Sequence, residues 1–580
     1  MIIYWTKTST GNFTTTGDWS TGTIPGALDQ VRIDASGTPT VTSSADETVL
    51  SVATDIDAAL DITGGIFQMS EGTGIGANDG QFDVGDSAEL VAGGTIDNKG
   101  NIYLQSTGDA TQLLTITNAS LTLTGGGYLT MSDQAENTVD ITTNVNNFIS
   151  GAGTVNLSNN EKNGDIVASG TNYSLAVNDA PNLTLINAGI LGATDGELLL
   201  FGTIDDSSGG VIQAIGADAL VYLASVTVIG GKLLTTGGGA ISLLGTGSTT
   251  TLDGIKATVN NAAALVFGDS TLALEGTINN TVSITLELPD SDLAIDAAGA
   301  TLEGNGAISL DNNDCFIISN AASAKLTNVN NTISGSGLIG DSGSNTMTLT
   351  NKGIIDGTLV AGGTGPLIID TGSNAVINSG TLEAALGELY IASSVTNSGK
   401  LIAESGGDLV AAGSVTGGSA TIEGTGTVEF GAASNVGTSF AAGSTGRLIL
   451  DDGAQYTGTI SGFGANTTQS IDLPNVQFAT LSETYSGGTL TVKDTSGDIA
   501  KIKFSGSYKL TDFSFTNDGG GGTLITDPPV ASKTSGVNIA LLGNYIASSL
   551  AGGSVGQGGS LPTDPWAIVS PHLLATPAHA

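Results

Sequence analysis

Short apolar runs alternate with polar residues along most of the chain. Examples are Leu121-Thr-Leu-Thr, Val226-Thr-Val-Ile, Ile241-Ser-Leu-Leu and Leu448-Ile-Leu. A period of two places every second side chain on one face, which is typical of a half-buried strand. Gly, Asn and Asp separate the runs and favour tight turns. Between residues 40 and 530 we find no convincing helical period, so the pattern predicts an all-β protein.

Two motifs recur along the chain. One places two glycines between apolar residues, at 149–155, 302–308, 333–339 and 422–428. The other is Asn-x-Gly, which begins at Asn98, Asn187, Asn351, Asn378 and Asn397. A longer match relates 143–151 (TNVNNFISG) to 327–335 (TNVNNTISG), at an offset of 184 residues. Similarity at a fixed offset is the signature of a repeat architecture.

These repeats predict a parallel β-helix, in which each turn of about 18–25 residues supplies two or three short strands. Gly and Asn at the corners tolerate positive φ. Asparagines stacked on successive turns are expected to form amide ladders. We expect a solenoid of about 20 turns, with right-handed winding favoured. A series of antiparallel sandwich domains is the alternative.

The ends of the chain differ from the middle. Residues 1–40 carry Trp5, Phe13 and Trp19, which we expect to cover the first rung as an N-terminal cap. The solenoid is expected over 41–440, and either its last turns or a β-sandwich module over 441–526. Residues 527–580 form a Gly/Ser/Pro-rich tail, with a helix-like apolar stripe at 537–550 and a possible secretion signal.

The net charge of the chain limits the classes of partner that it can bind. The chain has 580 residues, with 55 acidic against 15 basic side chains and a formal net charge of −40. A nucleic-acid site needs a basic face, so no nucleic-acid partner is expected. No apolar stretch is long enough for a membrane helix, and the N-terminus lacks the pattern of a secretory signal peptide. Such a surface favours hard cations with oxygen ligands, Ca²⁺ above all.

Catalytic side chains are scarce. The two histidines, His572 and His579, are in the tail, so the long body has no Ser-His-Asp or Cys-His arrangement. Cys315 is read as a small buried apolar residue. Paired carboxylates could in principle hydrolyse a glycan, but Asp is also favoured in solvated turns, and we expect no enzyme activity.

The acidic pairs are also candidates for Ca²⁺, which needs six to eight oxygens. No EF-hand loop is present, so these sites are inferred from charge and turn position alone. The candidate Ca²⁺ ligands are Asp205, Asp206, Asp290, Asp292, Asp311, Asp314, Asp451 and Asp452.

The segment 19–33 (WSTGTIPGALDQVRI) resembles the start of bacterial β-strand-repeat exoproteins, which are autotransporter-passenger-like surface solenoids. Segments 378–384, 446–463 and 518–527 resemble the same group. The resemblance implies an extracellular or cell-surface location. The membrane barrel of an autotransporter is not expected here, and the acid-poor tail is compatible with signal-peptide-independent, type I export.

Together these observations predict a secreted structural protein of a bacterial surface. We expect it to self-assemble into a filament, surface layer or matrix that Ca²⁺ stabilises. A monomeric adhesin or exopolysaccharide-binding protein is the alternative, with cell-surface polysaccharide as its partner. A carboxylate-dependent glycan-active β-helix enzyme is the second alternative.

Overall fold

The computed structural model describes residues 1–527, except 116, 118, 179–183, 323, 341–345, 361–362, 465–467 and 498. Strand accounts for 55% and helix for 2%, and the strands stack as parallel coils of a β-solenoid with about 19 turns. The expected all-β parallel β-helix is therefore confirmed. The predicted tail helix at 537–550 and both histidines lie outside the described residues.

Most strands are three to five residues long, and Gly, Asn or Asp follows many of them. The first third of the solenoid contains β1 Ile2–Tyr4, β2 Gly11–Asn12, β3 Gln30–Ile33, β4 Thr40–Ser43, β5 Glu47–Val49, β6 Ser51–Thr54, β7 Ala59–Ile62, β8 Gly65–Met69, β9 Gln81–Val84, β10 Ala88–Ala92, β11 Gly94–Asp97, β12 Asn101–Leu104, β13 Thr111–Thr115, β14 Leu121–Thr124, β15 Tyr128–Met131, β16 Asn137–Asp140, β17 Thr143–Asn144, β18 Phe148–Gly151, β19 Gly153–Asn156, β20 Asn159–Asn160 and β21 Asp165–Ala168.

The middle third includes longer, bent strands. Its members are β22 Leu175–Val177, β23 Thr184–Asn187, β24 Ile190–Ala193, β25 Glu197–Leu200, β26 Thr203–Asp205, β27 Val211–Ile215, β28 Leu220–Leu223, β29 Thr227–Ile229, β30 Lys232–Thr236, β31 Ala240–Leu243, β32 Thr249–Ala262, β33 Ala264–Phe267, β34 Thr271–Asn280, β35 Ser283–Leu286, β36 Ser291–Glu303, β37 Ala307–Ser319, β38 Lys325–Asn328 and β39 Thr332–Gly340.

The last third returns to short strands and ends in antiparallel ones. It contains β40 Thr348–Asn351, β41 Ile354–Gly357, β42 Leu367–Asp370, β43 Val376–Asn378, β44 Thr381–Ala384, β45 Glu388–Ile391, β46 Val395–Asn397, β47 Lys400–Ala403, β48 Asp408–Ala411, β49 Val415–Thr416, β50 Ser419–Ile422, β51 Thr427–Phe430, β52 Gly437–Phe440, β53 Arg447–Leu450, β54 Thr459–Ser461, β55 Ser470–Leu473, β56 Ser482–Ser486, β57 Thr489–Lys493, β58 Ile499–Phe504, β59 Ser514–Asn517 and β60 Thr523–Thr526. Single 3₁₀ turns lie at Thr16–Asp18, Phe478–Thr480 and Leu510–Asp512.

Strand pairing follows the winding of the chain. Over much of its length a turn has three strands, so β12 pairs with β15, β15 with β18 and β18 with β21, all parallel. In the middle the strands of a turn merge, and β32 pairs with β34 and β34 with β36. Breaks in register within these pairs, such as that between Gly254 and Val259, accommodate the bends.

The core is a set of columns that run along the solenoid. Ile102, Leu129, Ile149 and Ile166 stack in register on successive turns, and each has no exposed surface. Their neighbours in each strand point outward, as the period of two predicts. Burial of such columns is the main source of stability in a fold without a globular centre.

Buried asparagines form two hydrogen-bonded ladders parallel to the core. In nine links between turns, an asparagine amide nitrogen donates to an asparagine oxygen on a following turn, over 2.8–3.0 Å in both ladders. The first ladder contains Asn78, Asn98, Asn147, Asn144, Asn160 and Asn187, and the second contains Asn261, Asn280, Asn331, Asn328, Asn351, Asn378 and Asn397. The predicted stacking of asparagine is therefore present.

The 184-residue repeat is the same local structure, occurring once in each ladder. The Asn147 backbone N–H donates to Asn144 Oδ1 at 3.0 Å, and the Asn331 N–H donates to Asn328 Oδ1 at 2.9 Å. Each segment thus supplies two asparagines to its ladder within one corner. This explains why TNVNN recurs as a unit.

The glycine of the Asn-x-Gly motif is required by close approach of the backbone. A Cβ atom added to Gly380 would lie 2.1 Å from the Gly353 carbonyl oxygen, and one added to Gly399 would lie 2.1 Å from that of Gly380. No side chain fits at these distances. The motif therefore marks corners where successive turns are in contact through backbone atoms.

At the N-terminal end, a further backbone segment pairs with the outer edge of the first strand, β1. The Ser20 N–H donates to the Tyr4 carbonyl at 2.9 Å, so the segment around Trp19 lies along the outer edge of β1. The rings of Trp5 and Trp19 are 4.8 Å apart, and those of Phe13 and Trp19 are 5.1 Å apart. These side chains are buried and close the N-terminal end of the core.

Antiparallel strands follow the last parallel turns. β55 pairs in parallel with β53 and antiparallel with β60, while β54 pairs with β58 of the β56–β58 meander. Aromatic rings of Phe463, Phe504, Tyr508 and Phe513 pack there, with Phe504 and Phe513 centroids 5.1 Å apart. Residues 441–526 thus combine solenoid turns with antiparallel strands.

Candidate functional site

The sequence-predicted pair Asp205 and Asp206 divides between the surface and the interior. Asp205 accepts from Lys256 Nζ at 2.7 Å and from the Ser207 N–H at 3.1 Å. Asp206 is fully buried, and its Oδ1 accepts from Asn187 Nδ2 at 2.7 Å. Asp206 therefore continues the first asparagine ladder, and the two carboxylates do not face a common point.

Burial raises the pKa of Asp206 to about 8, and the Asp205 carboxylate adds to that rise while the Asn187 hydrogen bond opposes it. Among the described residues Asp206 Oδ2 has no hydrogen-bond partner. A buried unpartnered carboxylate oxygen is costly, so the neutral acid is the favoured form at pH 7.

The next four candidates lie on neighbouring turns near β36 and β37. The Asp290 N–H donates to the Asp314 carbonyl at 2.9 Å, which brings these two corners together. Burial raises the pKa of Asp292, and the nearby Asp290 carboxylate raises it further. Asp311 is engaged by the Ser309 hydroxyl. Asp290 lies in a turn, whereas Asp292 lies on β36 and both Asp311 and Asp314 lie on β37, where the register shifts between Asp311 and Phe316.

Asp451 and Asp452 border a polar groove of about 820 Å³ that Asn475 and Asn517 also line. Asn475 Nδ2 donates to the Asp451 carbonyl at 2.7 Å, and Asp452 Oδ1 accepts from the Gln455 N–H at 3.3 Å. Both carboxylates of this predicted Ca²⁺ pair therefore border the same groove. In the described part of the chain, no three His, Cys, Asp or Glu side chains converge as metal ligands would.

A row of acids that spacing alone did not reveal crosses turns 354–423. Asp356 and Glu383 are register neighbours on β41 and β44. Burial raises the pKa of Glu383 to about 7, and Asp356, Glu404 and Glu423 raise it in that order. We call these four residues the acidic row. Their mutual repulsion is relieved by protonation or by bound cations.

A second feature missed from the sequence is a polar groove of about 740 Å³ near the N-terminal end, here called the N-terminal groove. Asp61 on β7 and Asp83 on β9 lie side by side in its floor. Gln81 Nε2 donates to both carboxylate oxygens of Asp83 at 2.7 and 2.8 Å, and Gln105 Nε2 donates to its Oδ1 at 3.0 Å. Burial raises the pKa of both acids.

The sequence does contain a signal for this groove. Gln81 and Asp83 alternate with the buried residues Phe82 and Val84, which marks them as outward-facing. Their placement beside Asp61 depends on the register between turns. The spacing in sequence, 22 residues, does not fix that register without the structure.

Cys315 is buried, as expected of a small apolar residue. Its Sγ lies 3.4 Å from the carbonyl oxygens of Leu286 and Leu288. Burial raises the pKa of the thiol to about 11, which keeps it protonated and unreactive at neutral pH.

Comparison with protein-family models, with curated proteins and with solved structures found no significant match. Among the described residues, no helix is long and apolar enough to cross a membrane. The class that the fold defines is a capped parallel β-solenoid.

Proposed function

We propose that this protein is a non-enzymatic structural rod of a bacterial cell surface, exported by a signal-peptide-independent route. The observation that carries the proposal is a single stack of about 19 parallel turns with paired backbone at both ends. At about 4.8 Å per turn such a stack is about 90 Å long. The resemblance of segment 19–33 to surface exoproteins supports the location.

The closed ends favour side-by-side contact over end-to-end stacking. The outer edge of β1 is hydrogen-bonded to the segment around Trp19, and β55 is paired with β60. A paired edge has few free N–H and C=O groups to recruit another strand. Self-association is therefore proposed through the long sides of the rod.

Ca²⁺ is the proposed link between rods. A net charge of −40 opposes close approach of two copies until counterions neutralise it. The acidic row presents carboxylates on neighbouring turns. Burial raises the pKa of Asp356 and of Glu383, and the neighbouring carboxylates raise both further. A divalent ion shared between two such rows would replace repulsion with attraction.

Electron microscopy of the purified full chain in EDTA and in millimolar Ca²⁺ tests this proposal. We expect separate rods in EDTA and side-by-side bundles or sheets in Ca²⁺. The triple variant Glu383→Gln, Glu404→Gln and Glu423→Gln should lose the response. As a charge-matched control, the exposed residues Asp55, Asp195 and Asp269 are changed to Asn, and this variant should still bundle.

Separate rods in both conditions would refute the cation-linked assembly. End-to-end filaments would show that the covered ends form contacts after all. Immunogold labelling of thin sections of source cells tests the location, and label confined to the cell interior would contradict it.

A further inference from the structure

One outward face changes from polar to aromatic over four successive turns. Gln81, Asn101, Tyr128 and Phe148 occupy the same register position on β9, β12, β15 and β18. In the adjacent column Asp83 is followed by Tyr103, one turn along. The N-terminal groove thus opens directly onto a short aromatic strip.

The aromatic strip is available to a partner. Tyr128 is 55% exposed, although large apolar side chains on strands gain stability from burial. Its ring meets that of Phe148 edge to face, with the centroids 6.0 Å apart. This contact fixes the orientation of both rings and leaves the outer ring surface in solvent.

The floor of the groove provides hydrogen-bonding groups in fixed positions. Two glutamine amides hold the Asp83 carboxylate, as described above, so its side chain is ordered before any ligand arrives. Asp61, one turn before Asp83, has no hydrogen-bond partner among the described residues. Its carboxylate oxygens are free to accept from hydroxyl groups.

The charge of the groove selects the kind of ligand. Four carboxylates line it, from Asp57, Asp61, Asp79 and Asp83. They repel anionic polymers, and a ligand rich in hydroxyl donors suits them better. Aromatic rings beside the acids suit the apolar C–H faces of sugar rings, which also carry hydroxyls at their edges.

We propose that the N-terminal groove and the aromatic strip of Tyr103, Tyr128 and Phe148 bind an uncharged polysaccharide along the rod axis. Sugar rings stack on the aromatic strip, while hydroxyls of neighbouring units donate to Asp61 and Asp83. Turns spaced about 4.8 Å apart offer a repeating surface to a repeating polymer. This inference goes beyond the structural role and does not rest on it.

Native gels cast with uncharged polysaccharides test the proposal with the full chain. The probes are hydroxyethylcellulose, galactomannan and soluble starch, with polygalacturonate as the anionic comparison. We expect retardation in at least one uncharged gel, and none in polygalacturonate. Retardation should persist in high salt, because the contacts do not join opposite charges.

Variants locate the site. Tyr128→Ala should weaken binding about tenfold, as expected when a central aromatic contact is removed. Tyr128→Phe keeps the ring and should bind nearly as well as the natural chain. Gln105→Ala, which frees one side of the Asp83 carboxylate, should also weaken binding. Tyr390→Ala is the matched control, because Tyr390 also faces outward from a strand, on β45.

The proposal is overturned by an absence of retardation in all three uncharged gels, or by an equal loss in Tyr390→Ala. Binding that disappears in high salt would also contradict the proposal, because hydroxyl and ring contacts to an uncharged polymer are not screened by salt. Sedimentation velocity without polysaccharide tests whether a second copy of the chain occupies this face instead. A dimer that Tyr128→Ala abolishes and Tyr390→Ala does not would make the face a contact between copies and would contradict the proposal.

Discussion

At the scale of single residues, Asp206 shows that the position of a carboxyl group in the fold decides whether it is charged. Its neighbour Asp205 has the same side chain and makes an ordinary ion pair with Lys256. Asp206 lies where the first ladder would have its next asparagine, and Gly210 follows it as Gly164 follows Asn160. At Asn160 the amide donates to the Gly164 carbonyl at 3.0 Å. A protonated Asp206 carboxyl supplies a comparable donor.

This position predicts a pH-dependent stability. The pKa of Asp206 is about 8 in the folded chain, against 3.8 for the ordinary side chain. Between those values the unfolded chain binds fewer protons than the folded chain, so stability falls as pH rises and levels off above about 8. Asp206→Asn should remove this contribution. The gain in the free energy of unfolding of the variant over the natural chain should therefore be larger at pH 8 than at pH 5, by an amount on the order of a few kcal/mol.

Urea unfolding of both proteins at several pH values measures that difference. Comparing the two proteins cancels the other acids with raised pKa values, such as Glu383. Asp195→Asn is the control and should leave the slope with pH unchanged, because that carboxylate is exposed and is not among the groups that shift the pKa of Asp206. Parallel pH profiles for the natural chain and Asp206→Asn would show that Asp206 is ionised in the fold.

At the scale of elements, the ladders and their glycines act together. Asn378 accepts from Asn351 Nδ2 at 2.9 Å and donates to Asn397 Oδ1 at 2.8 Å. These bonds need successive turns in close contact, which the glycine at the second position after each asparagine permits. The element is therefore a corner of three residues that repeats from turn to turn.

A methyl group at that corner should separate the turns. Gly380→Ala would place its Cβ 2.1 Å from the Gly353 oxygen, and we expect a loss of about 1–3 kcal/mol or more from overpacking. Gly437→Ala is the matched control, because its Cβ would be 3.9 Å from the nearest atom, the Thr459 oxygen. That variant should be neutral or slightly stabilised. Equal urea midpoints for the two variants would contradict this account.

At the scale of the whole molecule, charge of one sign dominates. The chain has 40 more acidic than basic residues, and the described ion pairs are mostly exposed. Exposed pairs contribute little, whereas the summed repulsion acts on every turn.

Added salt should therefore stabilise this protein. We expect the midpoint of thermal unfolding to rise with NaCl, and to rise further with Ca²⁺ at equal ionic strength, since a divalent ion neutralises adjacent carboxylates more effectively. Circular dichroism with matched NaCl and CaCl₂ series measures both effects. A midpoint that falls with NaCl would mean that ion pairs outweigh the repulsion.

Much of the fold could be read from the sequence because its rules are local. Alternation in runs such as Leu121-Thr-Leu-Thr identifies strands and their buried faces, and Asn-x-Gly identifies corners. The 184-residue match showed that the same corner occurs twice. These features depend on side-chain direction and backbone freedom, which a few neighbouring residues determine.

The surfaces could not be read in the same way, because they depend on register between turns. Asp205 and Asp206 were treated alike as Ca²⁺ candidates, yet one faces solvent and the other lies in the ladder. Glu383 lies beside Asp356, and Asp61 lies beside Asp83, because turns of unequal length stack in one particular register. The sequence by itself determined the all-β solenoid, its corners and its acidity. The tertiary structure decided which carboxylates are buried and which outward side chains meet, because adjacency across turns is set by loop length and not by separation in the chain.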